Sequence, residues 1–176
     1  KVTITPKGYD FSKNNKLPFK INSSENITIF FPGSTIGNFE KKAAIKFLKM
    51  LKSKFKAKKI IIGVDLVKDI PTLISAYDDK KGITAKFNKN ILQRINTELG
   101  GDINLNSYKH LAIYNKPKKR IEMRLKSKKN NNIKINGSKF LIKKNEEIHT
   151  ENSHKYTIRS FKNLTSEAGW RIKKTW

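Results

Sequence analysis

Residues Phe30–Leu48, FFPGSTIGNFEKKAAIKFL, decide the fold. They continue from Asn26–Phe31, a short apolar, β-branched run that predicts a buried strand. Pro32–Asn38 predicts a tight, glycine-bearing turn, and from Glu40 onward apolar residues recur on one face of a predicted helix. Lys59–Val67 is a second apolar run. This order predicts a βαβ unit of a parallel sheet, with the turn at the carboxyl ends of the strands, where such sheets bind ligands.

The Pro32–Asn38 turn matches none of the common phosphate-binding or catalytic loops. It lacks the lysine of a Walker loop, and it does not read G-x-G-x-x-G. It is also not the G-x-S-x-G elbow of hydrolases. These motifs therefore do not define the chemistry of the turn.

Length and composition restrict the class of protein. The chain has 176 residues, 36% of them hydrophobic, which is enough for one domain or slightly more. It contains no cysteine, which excludes disulfides, thiolate metal ligands and a cysteine nucleophile. No apolar run approaches the roughly 18 residues of a membrane-spanning helix, and no secretory signal begins the chain. We therefore expect a cytoplasmic protein with no membrane partner.

Basic residues greatly outnumber acidic ones: 39 Lys and Arg face 14 Asp and Glu, for a formal net charge of +25. This charge makes a basic nucleic-acid-binding module one candidate function. The basic residues are mostly lysines spread along the chain, and the only dense run is Lys52–Lys59 at a predicted helix end. Specific nucleic-acid modules favour arginine forks beside exposed aromatic rings. A lysine-rich composition explains the charge better, and we expect no specific nucleic-acid partner.

Further along the chain the spacing changes between helical and strand periods. Ile83–Leu99 has an apolar residue at every fourth position, which predicts a helix. Tyr108–Ile142 alternates apolar and polar residues between turn signals, which predicts an antiparallel α+β block. Thr150–Gly169 returns to helical spacing. Strands are predicted at Lys1–Thr5 and Trp170–Trp176.

Several motifs together resemble those of one enzyme family. They are PGSTIGNF at 32–39, GVDLVKD at 63–69, AYDD at 76–79, GITAKFNKNIL at 82–92, RIEMRL at 120–125 and TENSHK at 150–155. In this order and spacing, they resemble the histidine-specific Nα-methyltransferases of the ergothioneine pathway. The resemblance covers nearly the whole chain.

The resemblance implies an α/β fold in which part of a Rossmann-like methyltransferase sheet carries an inserted α+β substrate-binding domain. Residues 1–69 would belong to the methyltransferase domain, 70–155 would be the insertion, and 156–176 would return to the methyltransferase domain. Family members are longer at the amino end, so we expect this chain to be truncated at both ends and to show little turnover alone. An inactive remnant of such an enzyme is the alternative.

The implied activity is methylation of the α-amino group of L-histidine by S-adenosylmethionine, up to the trimethylated betaine. Methyl transfer from a sulfonium needs a neutral amine held in line with the methyl–sulfur bond, so no catalytic acid or base is expected. We expect a monomer whose partners are the amino-acid substrate and S-adenosylmethionine.

Five residues match the family's substrate contacts. Asn38 and Tyr77 would bind the amino-acid end, Glu151 and Ser153 the imidazole, and Met123 would form an apolar wall beside the ring. Each also has a structural explanation. Asn38 suits a helix N-cap, Tyr77 and Met123 suit a core, and Glu151 with Ser153 suits a capping pattern before a helix.

Asp10 and Phe11 stand where the family has an Asp-Phe pair against the adenosine of the cofactor, and Gly33 belongs to the cofactor side of the turn. An Asx-turn followed by a core phenylalanine is the alternative for the pair. Asp78 and Asp79 fit a solvated helix end better than a metal site. The histidine and glutamate residues at 146–154 fit no metal-binding spacing, so no metal site is expected.

Overall fold

The computed structural model describes residues 3–10, 20 and 26–176. Phe11 and the start of the predicted strand Lys1–Thr5 lie outside this part of the chain. The elements, in chain order, are β1 (Thr28–Phe31), α1 (Lys41–Ser53), β2 (Lys59–Ile62), α2 (Ile70–Ser75), α3 (Ile83–Leu99), β3 (Tyr108–Asn115), β4 (Arg120–Ser127), β5 (Asn131–Ile135), β6 (Ser138–Ile142), β7 (Glu147–His154) and α4 (Ile158–Glu167). Short 3-10 helices, Thr35–Asn38 and Leu105–Ser107, precede α1 and β3. The fold is mixed α/β.

β1, α1 and β2 form the predicted βαβ unit. β1 and β2 pair in parallel, with Phe30 beside Ile61. The helix buries a stripe that packs against one side of the strand pair, and its members are Ala44, Ile45, Phe47, Leu48 and Leu51. The prediction of a parallel βαβ unit is confirmed, although both strands are shorter than their apolar runs. The prediction that the first strand is buried is wrong, because Phe30 is exposed on the face that α1 does not cover.

The end of the chain packs into the core of the βαβ unit. Thr157 and Ser160 form a capping box that begins α4. Phe161 and Leu164 of α4 are buried in one cluster with the apolar face of α1. Trp170 donates its indole N–H to a backbone carbonyl of α1 at 2.8 Å. The βαβ unit and the last part of the chain therefore share one core.

The middle of the chain builds a separate antiparallel sheet in the order β3-β4-β7, and β5 pairs with β6 in a hairpin. Two helices cover one face of this sheet. Leu92 of α3 packs with Tyr108 and Leu125. Leu73 of α2 packs with Ile121 and Met123. This block agrees with the predicted antiparallel α+β character of Tyr108–Ile142.

Three predicted elements are wrong. Thr150–Gly169 is not one helix, because its first five residues end β7 and α4 begins only after the Thr157 cap. Trp170–Trp176 is irregular, since Trp170 packs against α1 instead of entering a sheet. The described part of Lys1–Thr5 is also irregular, and Ile4 is exposed with no apolar surface to cover.

The helix α3 agrees with its predicted bounds, but its buried face is not the apolar stripe that revealed it. Four residues at the four-residue spacing are exposed: Ile83, Phe87, Ile91 and Leu99. A repeat of four drifts around a helix of 3.6 residues per turn, so such a stripe cannot stay on one side. The buried side carries Asn88 and Leu92.

Two lysines of the dense run contact residues that are distant in the sequence. Lys52 donates to the carbonyl of Gly169 at 2.6 Å, and Lys54 donates to the hydroxyl of Tyr9 at 3.1 Å. These contacts agree with a solvated helix end. Within the described residues, no helix has the length and apolar character needed to cross a membrane.

Candidate functional site

A bulge brings three predicted residues onto one face of the antiparallel sheet. Side chains alternate between the two faces of a strand, but the register between β4 and β7 shifts after Met123. Glu151 is therefore paired with Met123, and Ser153 with Ile121. Tyr77, just beyond α2, packs on the same cluster. Bulges commonly re-aim side chains near functional sites. Three of the five predicted substrate contacts therefore share this face, and Tyr77 packs beside them.

A buried lysine joins Tyr77 to Ser153. The two hydroxyl oxygens lie 2.7 Å apart, and Lys155 Nζ donates to both at 2.8 Å. The same ammonium is 2.8 Å from Asp65 Oδ2, and the lysine side chain is completely buried. The backbone N–H of Asp65 donates to Ser34 Oγ at 2.8 Å. This cluster therefore links the turn after β1 to β7 and to the end of α2.

The charge of Asp65 is maintained by its two lysine partners. Burial raises the pKa of Asp65, but hydrogen bonds from Lys155 and Lys68 outweigh it and hold the pKa below its ordinary value. The carboxylate is thus ionised at neutral pH, and the buried ammonium has a counter-charge.

The turn before α1 lies against β7. A Cβ on Gly37 would be 2.9 Å from the carbonyl oxygen of His154, so only glycine allows this approach. Beyond the turn, Asn38 and Glu151 line an open cavity of about 360 Å³ together with His149, Thr150 and Asn152. Asn38 is not the N-cap of α1, because Glu40 occupies that position. The capping explanation for Asn38 is wrong.

Glu151 is a partly buried carboxyl group. Burial raises its pKa, and the nearby charge of Lys155 acts in the opposite direction. Glu151 and Ser153 lie within β7, whereas Thr157 and Ser160 cap the following helix. The capping explanation for Glu151 and Ser153 is therefore wrong.

The residues predicted on the cofactor side are separated. Gly33 follows β1 with φ 76°, and a side chain there would meet nothing closer than 4.0 Å, so the surface beyond the strand is open. Asp10 is exposed, and its neighbour Tyr9 packs its ring on Phe55, before the start of β2. Gly33 and Tyr9 thus mark opposite ends of the strand pair. Phe11 lies outside the described residues.

The remaining polar candidates have structural contacts. Asp79 accepts hydrogen bonds from the backbone N–H groups of Ile83 and Thr84, at 3.0 and 2.8 Å, and these bonds lower its pKa to about 2. It caps the start of α3, as a helix-end role requires. His149 Nε2 lies 3.2 Å from the carbonyl oxygen of Glu151. In the described part of the chain, no group of three or more potential ligands could hold a metal ion.

Sequence analysis missed a buried ion network on the other face of the sheet. Glu122 pairs with Arg120 at 2.8 Å and also with Arg124, and Asn115 donates to it at 2.9 Å. Burial raises the pKa of Glu122, but these partners outweigh it and lower the pKa to about 2. Arg120 also pairs with Glu40 at the start of α1. The alternation of charged residues in β4 was visible in the sequence, but the burial of these side chains was not.

Sequence analysis also missed Lys155. Glu151, Ser153 and Lys155 recur at the two-residue spacing of a strand. That signal was present in the sequence, but the interpretation of Thr150–Gly169 as a helix concealed it.

Comparison with known proteins agrees with the family resemblance of the sequence motifs. The whole chain, residues 1–176, matches the family described as histidine-specific, S-adenosylmethionine-dependent methyltransferases. It is 34% identical over 151 residues to a histidine N-alpha-methyltransferase of Mycolicibacterium smegmatis, covering 84% of this chain and 47% of that protein. Its identity to a histidine N-alpha-methyltransferase of Mycobacterium tuberculosis is 36% over 129 residues, covering 72% of this chain and 40% of that protein.

A fungal relative is named for ergothioneine biosynthesis. The chain is 31% identical over 98 residues to ergothioneine biosynthesis protein 1 of Schizosaccharomyces pombe, covering 54% of this chain and 13% of that protein.

A mixed α/β fold whose polar side chains converge beside a cavity is typical of an enzyme that binds a small polar molecule. The chain belongs to the histidine-specific, S-adenosylmethionine-dependent methyltransferase family. It spans about half the length of the bacterial relatives it matches.

Proposed function

We propose that the complete protein carrying this chain transfers methyl groups from S-adenosylmethionine to the α-amino nitrogen of L-histidine, up to the trimethylated betaine. Family membership and the names of the bacterial relatives support this activity. The observation that carries it is the convergence of Tyr77, Met123, Glu151 and Ser153 on one face, with Asn38 on the cavity that Glu151 also lines.

We further propose that residues 1–69 and 156–176 belong to a Rossmann-like methyltransferase domain and that 70–155 form an inserted substrate domain. The hydrophobic clusters support this division. One cluster draws its buried residues from 36–51 and 156–168, and the other two draw theirs from 73–133. The βαβ unit would be part of the larger parallel sheet.

The substrate ring would be recognised between Glu151 and Ser153. A carboxylate accepts a hydrogen bond from one ring N–H, and a hydroxyl serves the other nitrogen. Leucine or phenylalanine in the same place would leave a partly buried carboxylate without a partner, which is strongly unfavourable. Met123 would contact the apolar surface of the ring.

Asn38 and Tyr77 would hold the amino-acid end of the substrate. An amide both donates and accepts, so Asn38 suits an amine and a carboxylate together. Because the reaction depends on the alignment of the amine lone pair, these residues would act by positioning. No residue of this chain is proposed as a catalytic acid or base.

S-adenosylmethionine would meet this chain at the carboxyl end of β1. The open backbone at Gly33 fits the close approach of a ligand. Contacts of Asp10 and Phe11 to its adenosine rest on the family resemblance alone, because Tyr9, the neighbour of Asp10, lies at the other end of the strand pair. When bound, the cofactor supplies an electrophilic methyl group.

The proposal is tested by measuring turnover of a panel of L-amino acids by the complete protein with S-adenosylmethionine. We expect histidine to be methylated and leucine and phenylalanine to be ignored. Glu151→Ala should reduce kcat/KM for histidine by about 100-fold or more, because the ring loses its charged partner. Glu98→Ala, which removes an exposed carboxylate on α3, is the matched control and should behave as the wild type.

Methylation of leucine or phenylalanine as efficient as that of histidine would refute the assigned specificity. No methylation of any amino acid by the complete protein would indicate an inactive remnant.

A further inference from the structure

Lys155 has no role in the proposed chemistry, yet it is the most completely buried cation of the site. Its ammonium contacts Tyr77 Oη, Ser153 Oγ and Asp65 Oδ2, each at 2.8 Å. A buried ammonium is costly unless its partners are well placed. Its position between two predicted substrate contacts therefore requires a physical explanation.

The three groups restrict where the hydroxyl hydrogens can point. An ammonium has donors and no lone pair, so both hydroxyl oxygens must accept from Lys155. The 2.7 Å contact between Tyr77 and Ser153 uses one hydroxyl hydrogen. A single hydroxyl hydrogen then remains for a ligand.

The chemical nature of the two hydroxyls indicates which hydrogen remains. A phenol is a stronger hydrogen-bond donor and a weaker acceptor than an aliphatic alcohol. Tyr77 therefore donates to Ser153, and it would meet the amino-acid end of the substrate through its hydroxyl oxygen, which can accept from the amine. The hydrogen of Ser153 is left to point away from both partners.

We propose that Lys155 is a positioning residue for ring recognition: it orients the Tyr77–Ser153 pair so that Ser153 donates to the acceptor nitrogen of a neutral imidazole. This inference rests on the proposed function. Glu151 then accepts from the N–H on the other side of the ring. Glu151 and Ser153 are two residues apart on a strand, so their Cα atoms are separated by about 7 Å and their side chains leave the same face. An imidazole ring with a hydrogen bond of about 2.8–3.0 Å at each nitrogen bridges a gap of this width.

In this arrangement, Lys155 and Ser153 together recognise the acceptor nitrogen of the imidazole ring. The test measures binding of two ligands to the complete protein by calorimetry: L-histidine, and a histidine analogue whose ring is pyrrole. The pyrrole keeps an N–H for Glu151 but has a C–H in place of the acceptor nitrogen.

We expect Lys155→Met and Ser153→Ala each to weaken histidine binding by about 10- to 100-fold, the cost of one buried hydrogen bond. Binding of the pyrrole analogue should change by less than about threefold. The matched control is Lys68→Met, because Lys68 also pairs with Asp65 at 2.8 Å but is exposed. Both ligands should bind this control as they bind the wild type.

Equal losses for both ligands would mean that Lys155 only supports the fold, and this would overturn the proposal, as would unchanged histidine binding in Lys155→Met. If that variant does not fold, the double variant Asp65→Asn with Lys155→Met removes both charges. Binding of the same two ligands to the double variant then tests the proposal.

A wild-type protein that binds no histidine would refute the proposed function, and nitrogen-15 NMR of the lysine ammonium groups would then judge Lys155 separately. A resonance protected from exchange, lost in Lys155→Met and shifted in Ser153→Ala, would support the orienting role. Absence of that resonance would overturn it.

Discussion

Glu122 has a buried side chain, yet it is ionised. Its carboxylate lies between the guanidinium groups of Arg120 and Arg124 and accepts a third hydrogen bond from Asn115. Burial of one charge alone would cost several kcal/mol, and the partners offset that cost only as a complete set. Removal of one member of this ion network should therefore lower the free energy of unfolding by more than the solvent exposure of that member suggests.

Glu122→Gln should destabilise the protein by about 3–5 kcal/mol, because Arg120 is left buried with reduced charge compensation. Urea unfolding measures this change. Glu167→Gln, which breaks the exposed pair with Lys41, is the matched control and should cost less than about 1 kcal/mol. Similar small losses in both variants would contradict the role of the network.

The same carboxyl group should contribute to acid sensitivity. Its pKa is lowered from 4.5 to about 2 in the folded protein, so its stabilising effect is present above pH 4.5 and is lost as the pH falls toward 2. Glu122→Gln should flatten the decline in unfolding free energy over this window. An unchanged pH dependence would contradict the assignment.

At the residue scale, sequence could identify candidates but not their partners. The position of Glu151 beside Met123 follows from a one-residue register shift, which no local pattern in β7 announces. The contact of Lys155 with Tyr77 joins residues 78 positions apart. Neither contact could be derived without the fold.

The 3-10 turn before α1 is the element that brings Asn38 to the cavity. Its approach to β7 depends on Gly37, where a Cβ would lie 2.9 Å from a backbone oxygen. Backbone atoms cannot rotate away as a side chain can, so the turn itself would have to move.

Gly37→Ala should therefore destabilise the protein by about 1–3 kcal/mol and should weaken histidine binding by displacing Asn38. Gly8→Ala, where a Cβ meets nothing within 4 Å, is the control and should be close to neutral. Unfolding curves and histidine titrations of both variants test this, and wild-type binding by Gly37→Ala would show that the turn does not position Asn38.

The exposed stripe of α3 gives a second prediction at the element scale. Phe87→Ser should change the unfolding free energy by less than about 0.5 kcal/mol, because Phe87 is 65% exposed. Leu92→Ala should cost about 2–5 kcal/mol, because Leu92 is 2% exposed. Denaturant unfolding of the pair identifies the buried face, and the reverse order would contradict it.

Elements with a strong local signal were predictable, and those defined by distant contacts were not. The helix α3 and the βαβ unit follow from apolar spacing and glycine turns. β7 was misread because Thr150–His154 has no apolar residue that would show the alternation of a strand, and its strand state depends on pairing with β4. Trp170 reads as a strand residue, but contact with α1 determines its conformation.

At the scale of the whole molecule, the buried clusters follow the proposed division of the chain, although domain boundaries remain a prediction. The cluster Tyr77–Ser153–Lys155–Asp65 joins residues of both proposed segments, and Arg120 makes a second link through Glu40. The proposed substrate contacts and the βαβ unit are thereby fixed to each other. This connection would hold the amino acid in register with the cofactor.

The central claim is that this chain positions the α-amine of histidine for methyl transfer. Its most direct test is NMR of the product formed by the complete protein from L-histidine and S-adenosylmethionine labelled with carbon-13 in the transferred methyl group. We predict that every labelled methyl is attached to the α-nitrogen, with up to three on one molecule. Labelled methyl groups on a ring nitrogen, or on no histidine at all, would contradict the account.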